Sequence, residues 1–322
     1  MTNARFWEVT EANFESAALE VFAFQYERIA IYRAFCNSLG RNPARVGSFY
    51  DIPFLPVSFF KTHRIAATEI LIEKTFESST TGGGLPSKHE VESLAFYETS
   101  FLKGFENFYG NVEQYGILAL LPSYMERGTS SLLYMTEQLI RKSNCEASDF
   151  FKDDFQKLTE AILKVRQAGK RPFLLGVTYA LLDFAATFPQ DLSDCIIMET
   201  GGMKGRRAEL TRDEVHGILK KSFGVKQIHS EYGMTELLSQ AYSKGEGIFQ
   251  CQPWMRVLVR DSSDPLCLLR KDGSGALNII DLANYFSCSF IATEDAGRIQ
   301  GTTFEVIGRL DHTDVRGCNL MY

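Results

Sequence analysis

The sequence predicts an α/β protein in which a parallel sheet is flanked by helices and a smaller β-rich part follows toward the C-terminus. Between residues 115 and 229, short apolar runs alternate with helical stretches, the pattern of a parallel sheet covered on its faces. After about residue 250, apolar runs separated by Gly and Asp turns replace it. A length of 322 residues with 45% apolar content is sufficient for a complete buried core.

The individual elements follow from these patterns. Residues 13–39 have the apolar spacing of one long amphipathic helix, and Gly40 is a suitable stop. Residues 51–61 contain two prolines, which exclude a regular helix, so we predict an ordered, extended segment packed on the core. The alternating region predicts strands at 115–121, 172–177, 195–198 and 225–229, and helices at 131–141, 154–168 and 211–222.

In the C-terminal region the predicted strands follow one another at shorter intervals than in the alternating region, which is typical of an antiparallel arrangement. It predicts strands at 255–260, 276–281, 286–292 and 304–307. We therefore expect an α/β core over residues 1–250 and a β-rich part over residues 251–322.

Composition and charge restrict the function. The net charge is −6, and no block of basic residues argues for a nucleic-acid partner. No apolar run approaches the roughly 20 residues that span a bilayer, and the polar start lacks the apolar core of a signal peptide. The seven cysteines include no C-x-x-C pair, which is typical of a reducing compartment. We expect a cytoplasmic protein that is not transmembrane.

The segment 77–88 reads Glu-Ser-Ser-Thr-Thr-Gly-Gly-Gly-Leu-Pro-Ser-Lys and is the first candidate site. Glycines allow successive backbone N–H groups to approach one ligand, and hydroxyls and a lysine add donors, so a polyphosphate is the natural ligand. The spacing is not that of a Walker A loop. A flexible Ser/Gly surface loop remains the alternative.

The segment 229–236, His-Ser-Glu-Tyr-Gly-Met-Thr-Glu, follows a predicted strand, where ligands of open α/β sheets bind. Glu236 offers hard oxygen ligands suited to Mg²⁺. Thr235 can donate to a phosphate, and Tyr232 presents a flat face to a purine. A strand–helix turn with incidental polar residues is the alternative.

Two further loops are weaker candidates. Gly201 and Gly202 follow a predicted strand, and paired glycines there permit close passage along a flat base. Near the C-terminus, Asp295 can accept two hydrogen bonds from a ribose diol, and Arg309 can reach the same sugar or the α-phosphate. A tight turn and a charged β-turn are the respective alternatives.

Together and in this order, the four segments resemble the adenylate-forming ligase superfamily. The run 79–88 is similar to its phosphate loop, 232–236 matches Tyr-Gly-x-Thr-Glu, 293–295 is similar to Thr-Gly-Asp with Glu294 in place of glycine, and 308–311 matches Gly-Arg-x-Asp. The segments 52–56, 60–63, 87–89, 229–236 and 316–320 narrow the resemblance to the acyl-protein synthetase (LuxE-type) family.

The resemblance implies ATP-dependent activation of a carboxylic acid, of the fatty-acid class, to an acyl-adenylate, with transfer of the acyl group to a thiol. It implies ATP and Mg²⁺ as cofactors and an acceptor protein, such as a reductase or carrier, as partner. It assigns the nucleotide to Ser79, Thr80, Thr81, Gly82, Lys88, Gly201, Gly202, Tyr232, Gly233, Thr235, Asp295 and Arg309. It assigns the metal to Glu236 and an acyl relay to Cys318, for which a small buried residue is the alternative.

One departure from the superfamily bears on catalysis. The sequence ends eleven residues after Asp311, so the mobile C-terminal lid domain and its catalytic lysine are expected to be absent. Lys88 is then a candidate catalytic cation. Two rival interpretations stay open: an acyl-CoA synthetase of the phenylacetate type, and a nucleotide-binding subunit without chemistry.

Overall fold

A computed structural model describes residues 5–79, 84–121, 128–201, 210–261 and 264–310. Its helices are α1 (Phe14–Arg28), α2 (Ala30–Ser38), α3 (Phe59–Thr62), α4 (Leu94–Tyr109), α5 (Ser131–Ser143), α6 (Phe155–Gln167), α7 (Thr178–Thr187) and α8 (Arg212–Phe223). Its strands are β1 (Leu55–Pro56), β2 (Lys74–Glu77), β3 (Lys88–Val91), β4 (Tyr115–Leu120), β5 (Asp149–Phe150), β6 (Arg171–Val177), β7 (Ile196–Thr200), β8 (His229–Tyr232), β9 (Ala241–Ser243), β10 (Ile248–Gln250), β11 (Met255–Arg260), β12 (Leu268–Leu269), β13 (Gly273–Asp281), β14 (Phe290–Gln300) and β15 (Thr303–Arg309).

One large sheet organises the described residues. Its strand order is β12-β11-β13-β14-β15-β10-β9-β8-β7-β6-β4-β5, with β1 paired to β14, and β2 and β3 form a separate hairpin. The strands from β8 to β5 are parallel, and those from β9 to β12 pair antiparallel. The predicted fold class is therefore confirmed. The sheet continues across residue 250, because β10 pairs with both β9 and β15, and the division into 1–250 and 251–322 stays a prediction.

Apolar residues on the parallel strands alternate between two buried clusters. On β7, Ile196 and Met198 belong to one cluster, and Ile197 between them belongs to the other. Successive side chains of a strand point to opposite faces, so the clusters lie on the two faces of the sheet. Residues of α6, α7 and α8 cover one face, and residues of α1, α2 and α4 cover the other. Burial on both faces explains why these strands are continuously apolar.

The predicted helices of the alternating region are confirmed, with local signals at their ends. The hydroxyl of Ser130 accepts the N–H of Leu133 at the start of α5, and the start of α8 has a capping box between Thr211 and Glu214. Gly224 ends α8 with a φ of +65°, a conformation that favours glycine.

The N-terminal predictions require two corrections. The single helix predicted over 13–39 is wrong: α1 and α2 are separated at Ile29, which has φ −110° and ψ 100°. The carbonyl of Arg28 accepts the N–H of Thr68, so a tertiary contact replaces helical continuity there. The segment 51–61 is extended only in its first part, where β1 pairs with β14. Its last residues belong to the helix α3, which the prediction did not include.

Two predicted strands are displaced along the chain. The strand predicted at 225–229 is β8, which begins at His229. Val225 and Ile228 are buried in the connection before it, whereas Ser230 and Glu231 take strand positions because Glu199 and Thr200 on β7 bond to them. The strand predicted at 286–292 is β14, which begins at Phe290 and runs to Gln300.

Candidate active site

A cavity of about 990 Å³ opens where β7 and β8 end. In parallel sheets this edge is where ligands bind. Its wall brings together segments that lie far apart in sequence: Val57 and Lys61, residues 77–79 and 84–87, Tyr97, residues 129–132 and Met135, Thr200 and Gly201, Glu231, residues 233–236, Gln240, Glu294, Asp295 and Arg309. The polar side chains that the structure describes on this wall include hydroxyls, carboxylates and the cations Lys61 and Arg309.

The phosphate-loop candidate reaches this wall through its two ends. Ser78 and Ser87 close the base of the loop, because the N–H of Ser78 donates to the carbonyl of Ser87 (3.0 Å) and the hydroxyl of Ser78 accepts the N–H of Ser87 (2.9 Å). Ser79 lines the cavity. Thr80, Thr81 and Gly82 lie outside the described residues.

The N-terminus of α5 faces the same cavity. Ser130 and Ser131 line it, and Ser130 is the residue that caps the 13-residue helix. The first N–H groups of a helix and its dipole favour an anion. The loop base and the start of α5 therefore give this end of the cavity the character of an anion site.

The two lysines near the loop have different positions. Lys88 is on the exposed side of the β2–β3 hairpin, where its Nζ lies 3.7 Å from Glu77 Oε1 and its side chain is 60% exposed. It is not among the described residues that line the cavity. Lys61, on α3, does line it. Lys61 belongs to segment 60–63, which supports the family resemblance, but the motifs alone do not predict that its side chain reaches the cavity.

Glu236 contributes a buried carboxylate to the wall, with only 5% of the residue exposed. Burial raises its pKa, and a hydrogen bond from Ser87 together with the charges of Arg309 and Lys61 opposes that rise. The side chain thus lies within the electrostatic influence of both cavity cations.

Hydrogen bonds from β13 and β3 fix the turn that carries Glu236. One carboxylate oxygen of Asp281 accepts the N–H groups of Leu238 and Ser239, both at 2.9 Å. His89 Nδ1 lies 2.8 Å from the carbonyl of Thr235. Burial lowers the pKa of His89 to about 4, so this imidazole is neutral and donates through Nδ1. Both groups position the turn, and Thr235 lies on the cavity wall.

Asp295 and Arg309, which both line the cavity, are cross-strand partners on β14 and β15. Arg309 Nε lies 3.6 Å from Asp295 Oδ1, and the hydroxyl of Tyr232 donates to Asp295 Oδ2 at 2.7 Å. The ring of Tyr232 packs edge-on against Phe249 and Phe304. Among the described residues, Asp295, Arg309 and Gly233 line the cavity and Tyr232 does not.

Gly201 lies on the cavity wall at the end of β7, with a φ of +69°. The hydroxyl of Thr178 donates to its carbonyl (2.8 Å) and to Glu199 (3.0 Å). Although burial raises the pKa of Glu199, hydrogen bonds from His216 and Ser230 outweigh it and hold the pKa below its usual value. This buried network fixes the end of β7. Gly202 and Cys318 lie outside the described residues.

The carboxylate oxygens of this site fit a magnesium ion that is also bound by the phosphates of a ligand. The parts of the chain that the structure describes contain no group of three or more His, Cys, Asp or Glu side chains that could hold a metal alone. Mg²⁺ is usually held by one or two carboxylates plus phosphate oxygens and water rather than by an all-protein cage. Glu236 supplies one such carboxylate.

Comparisons with known proteins agree with this geometry. No protein-family model matches the chain. The chain is 26% identical over 345 residues to the long-chain-fatty-acid–luciferin-component ligase of Vibrio harveyi, a match that covers 98% of this chain and 89% of that protein. The resemblance that the motifs predict is therefore confirmed.

Among solved structures, MatB from Rhodopseudomonas palustris superposes with a TM-score of 0.53 and 15% identity, over 86% of this chain and 56% of MatB. The fatty acid AMP ligase from Legionella pneumophila superposes with a TM-score of 0.52 and 13% identity, over 77% of this chain and 52% of that structure. The fold is that of an adenylate-forming ligase. The chain spans little more than half of the length of these solved structures.

Seven of the motif positions lie at one cavity, whereas Lys88 and Tyr232 are not among its described lining residues. Ser79, Gly201, Gly233, Thr235, Glu236, Asp295 and Arg309 all line it. None of the helices within the described ranges has the length and apolar content to cross a membrane.

Proposed function

We propose that this protein activates a carboxylic acid of the fatty-acid class with ATP and transfers the acyl group to a protein thiol. The observation that carries the proposal is the single cavity, at the edge of an adenylate-forming fold, that Ser79, Glu236, Asp295 and Arg309 line together. The name of the Vibrio harveyi relative, a long-chain fatty acid ligase, supports the substrate class.

The chemistry proceeds in two steps. The substrate carboxylate attacks the α-phosphorus of ATP, the bond to the β-phosphate oxygen breaks, and pyrophosphate leaves. A thiolate then attacks the acyl carbon, and AMP leaves. The first step needs positioning and charge neutralisation rather than a protein nucleophile.

The residues of the cavity supply those needs. Ser79, Lys61 and the start of α5 hold the polyphosphate, and Thr235 donates to a phosphate oxygen. Asp295 accepts hydrogen bonds from the ribose hydroxyls. Arg309 neutralises the charge of Asp295 or of a phosphate. Gly201 and Gly202 pass along the adenine. Tyr232 supports Asp295 through its hydroxyl.

Glu236 would hold Mg²⁺. When bound, the ion neutralises the charge that develops on the phosphates. Ser87 orients the carboxylate, because its hydroxyl is hydrogen-bonded to Glu236. Lys88, exposed on the hairpin, remains a candidate for contact with the outer phosphates.

The first prediction concerns the products. The full chain with ATP, Mg²⁺ and a panel of short, long and aromatic carboxylic acids is expected to release AMP and pyrophosphate only when a competent acid is present. Coupled pyrophosphate detection and nucleotide chromatography measure this. ADP and phosphate as products would exclude adenylate formation, and acceleration by free CoA would favour the CoA synthetase alternative.

The second prediction concerns the acceptor, for which we propose Cys318 as a relay. A thiolate near the adenylate can take the acyl group as a thioester, and the family resemblance places a cysteine at this position. Incubation with ATP and a radiolabelled fatty acid is expected to leave protein-bound label that neutral hydroxylamine removes. Cys318→Ser is expected to abolish this label while acid-dependent pyrophosphate release continues.

A matched control and the remaining cysteines decide this assignment. Cys267 is the exposed cysteine of the described set, and Cys267→Ser is expected to leave the label unchanged. Label that persists in Cys318→Ser would assign the relay to another cysteine. All six described cysteines are free, which agrees with the cytoplasmic location that we propose.

A further inference from the structure

Strand β14 is irregular where it carries the motif residues 293–295. Its pairing with β13 is regular down to Ala296 and resumes at Ala292, so residues 293–295 lie opposite the single residue Leu277. Two residues are therefore extra on β14, which forms a β-bulge. Bulges next to active sites re-aim side chains that a regular strand would point elsewhere.

The bulge brings two consecutive side chains to the same cavity. Glu294 and Asp295 both line it. Both also reach one guanidinium, because nitrogens of Arg309 lie 3.7 Å from the carboxylate of Glu294 and 3.6 Å from that of Asp295. Successive side chains of a regular strand point to opposite faces. The position of the Asp295 carboxylate in the cavity therefore depends on the shape of the bulge.

A buried arginine from a third strand hydrogen-bonds to the bulge. Arg260, the last residue of β11, is only 9% exposed. Its Nη1 donates to the carbonyl of Leu277 (2.8 Å) and to the side-chain oxygen of Asn278 (2.6 Å), both on β13. Its Nη2 donates to the carbonyl of Thr293 (2.6 Å), inside the bulge. The guanidinium thus joins β13 and β14 where their regular pairing is interrupted.

Thr293 connects this guanidinium to Asp295. The hydroxyl of Thr293 donates to the carbonyl of Leu277 (2.8 Å), which is the same oxygen that accepts from Arg260. That hydroxyl also accepts the N–H of Asp295 (3.1 Å). A continuous set of hydrogen bonds therefore leads from Arg260 to the backbone of Asp295.

Arginine suits this position for a geometric reason. The three acceptors of Arg260 are neutral oxygens, two carbonyls and one amide, that belong to two different strands. A planar guanidinium presents its donors as a rigid fork and can reach all three, whereas the ammonium group of lysine is a single compact charge. Removal of a cation from water is costly, so these contacts must offset that cost here.

We propose that Arg260 is a positioning residue for ATP: its guanidinium fixes the bulge of β14 and so directs the Asp295 carboxylate at the ribose. The inference rests on the proposed function, which assigns Asp295 to the ribose hydroxyls. Arg260 is not among the described residues that line the cavity. It therefore acts through Thr293 and Asp295 rather than by contact with the nucleotide.

Nucleotide binding in the absence of acid tests this role. Isothermal titration calorimetry of the full chain with Mg²⁺ compares ATP with 2′-deoxy-ATP and 3′-deoxy-ATP. The wild-type protein is expected to bind ATP about tenfold or more tightly than at least one deoxy analogue, because a hydrogen bond to a charged carboxylate is lost. Arg260→Lys keeps the charge without the fork, and Arg260→Met removes both. Each is expected to reduce the ATP preference about fivefold or more.

A second arginine of β11 supplies the matched control. Arg256 Nη2 lies 2.5 Å from Glu11 Oε2, and its guanidinium packs over the ring of Phe14. Arg256→Lys is therefore expected to leave the ATP preference unchanged. Thermal melting of every variant shows whether it is folded.

Two further measurements separate positioning from a general loss of structure. Asp295→Asn is expected to abolish the ATP preference, and the addition of Arg260→Lys to it should change the preference no further. If the Arg260 variants do not fold, a pair of variants at Thr293 decides. Thr293→Val, which lacks the hydroxyl, is expected to reduce the preference, and Thr293→Ser is expected to keep it.

Each outcome supports or overturns the inference. A preference that falls in both Arg260 variants and not in Arg256→Lys supports it. A preference that survives in Arg260→Lys, or in Thr293→Val where that variant decides, overturns it. Equal binding of ATP and both deoxy analogues by the wild type, or no binding of ATP, overturns the assignment of Asp295 and this inference with it. If the binding preferences are as expected but no acid releases pyrophosphate, acid activation is wrong and the role of Arg260 stands.

Discussion

Replacement of Glu236 with glutamine is expected to slow adenylate formation by about 100-fold or more, roughly 2.7 kcal/mol of transition-state stabilisation. Glutamine keeps the length of the side chain and an acceptor for the Ser87 hydroxyl, but it removes the negative charge that we assign to Mg²⁺. The loss should appear in kcat for acid-dependent pyrophosphate release measured at saturating ATP and Mg²⁺.

The melting temperature of Glu236→Gln separates this loss of rate from misfolding. Because burial raises the pKa of Glu236, the contribution of this carboxyl group to stability is fully present at low pH and is lost as the pH rises through its folded-state value. The ionised form of the buried group is therefore a net cost to stability, and Glu236→Gln should melt at the same temperature as wild type or higher. A melting temperature that falls together with the rate would contradict the metal assignment.

A second carboxylate of the same cavity supplies the control. Glu294 lines the cavity, yet its side chain is 26% exposed and lies 3.7 Å from Arg309. Glu294→Gln removes the same charge from a more solvated position, so its rate should change far less than that of Glu236→Gln. Equal losses in the two variants would show that the rate follows the total charge of the cavity rather than a ligand at Glu236.

Replacement of Lys61 with glutamine is the second change with a large expected effect, about tenfold or more in kcat/KM for ATP, or roughly 1.4 kcal/mol. Lys61 lines the cavity and acts electrostatically on Glu236. Its ammonium group is therefore placed to neutralise phosphate charge. Titration of pyrophosphate release against ATP at fixed acid measures the effect, and Lys61→Arg should retain most of the rate.

Lys88→Gln is the matched comparison, because both variants remove one lysine charge near the loop. Both lysines are exposed, but Lys88 lies beside Glu77 and is not among the described residues that line the cavity, so the variant should lose little. The Lys61 assignment would be abandoned if Lys88→Gln lost more activity than Lys61→Gln. That result would assign the phosphate contact to Lys88 instead.

The difference between the two lysines also shows where sequence reasoning ends. Hydroxyls and glycines that follow strand ends predict where a ligand binds, and Ser79, Thr235 and Glu236 lie on one cavity wall. On a hairpin, successive side chains point to opposite faces, so a shift of one residue reverses which side chains face inward. On β3, His89 is buried and Lys88 is exposed, and the sequence does not reveal which of the two points inward.

The convergence of separate segments on the cavity was beyond prediction for a related reason. Lys61, Glu231 and Gln240 reach the cavity because α3, β8 and the start of β9 converge there, which is a property of the tertiary fold. The apolar residues Val225 and Ile228 led to a wrong strand boundary, because burial in a connection and burial in a strand select the same residue types. The polar strand β8 forms because Glu199 and Thr200 on β7 satisfy its side chains.

The hydrogen bonds from Leu238 and Ser239 to Asp281 have a consequence for the order of folding. The partners are 43 and 42 residues apart, and Asp281 is the last residue of β13, which depends on its pairing with β11 and β14. During synthesis the turn that carries Glu236 leaves the ribosome well before its anchor. Distant pairings of this kind form late and slowly. We therefore expect the turn that carries Glu236 to become fixed only after β13 has paired with its neighbours.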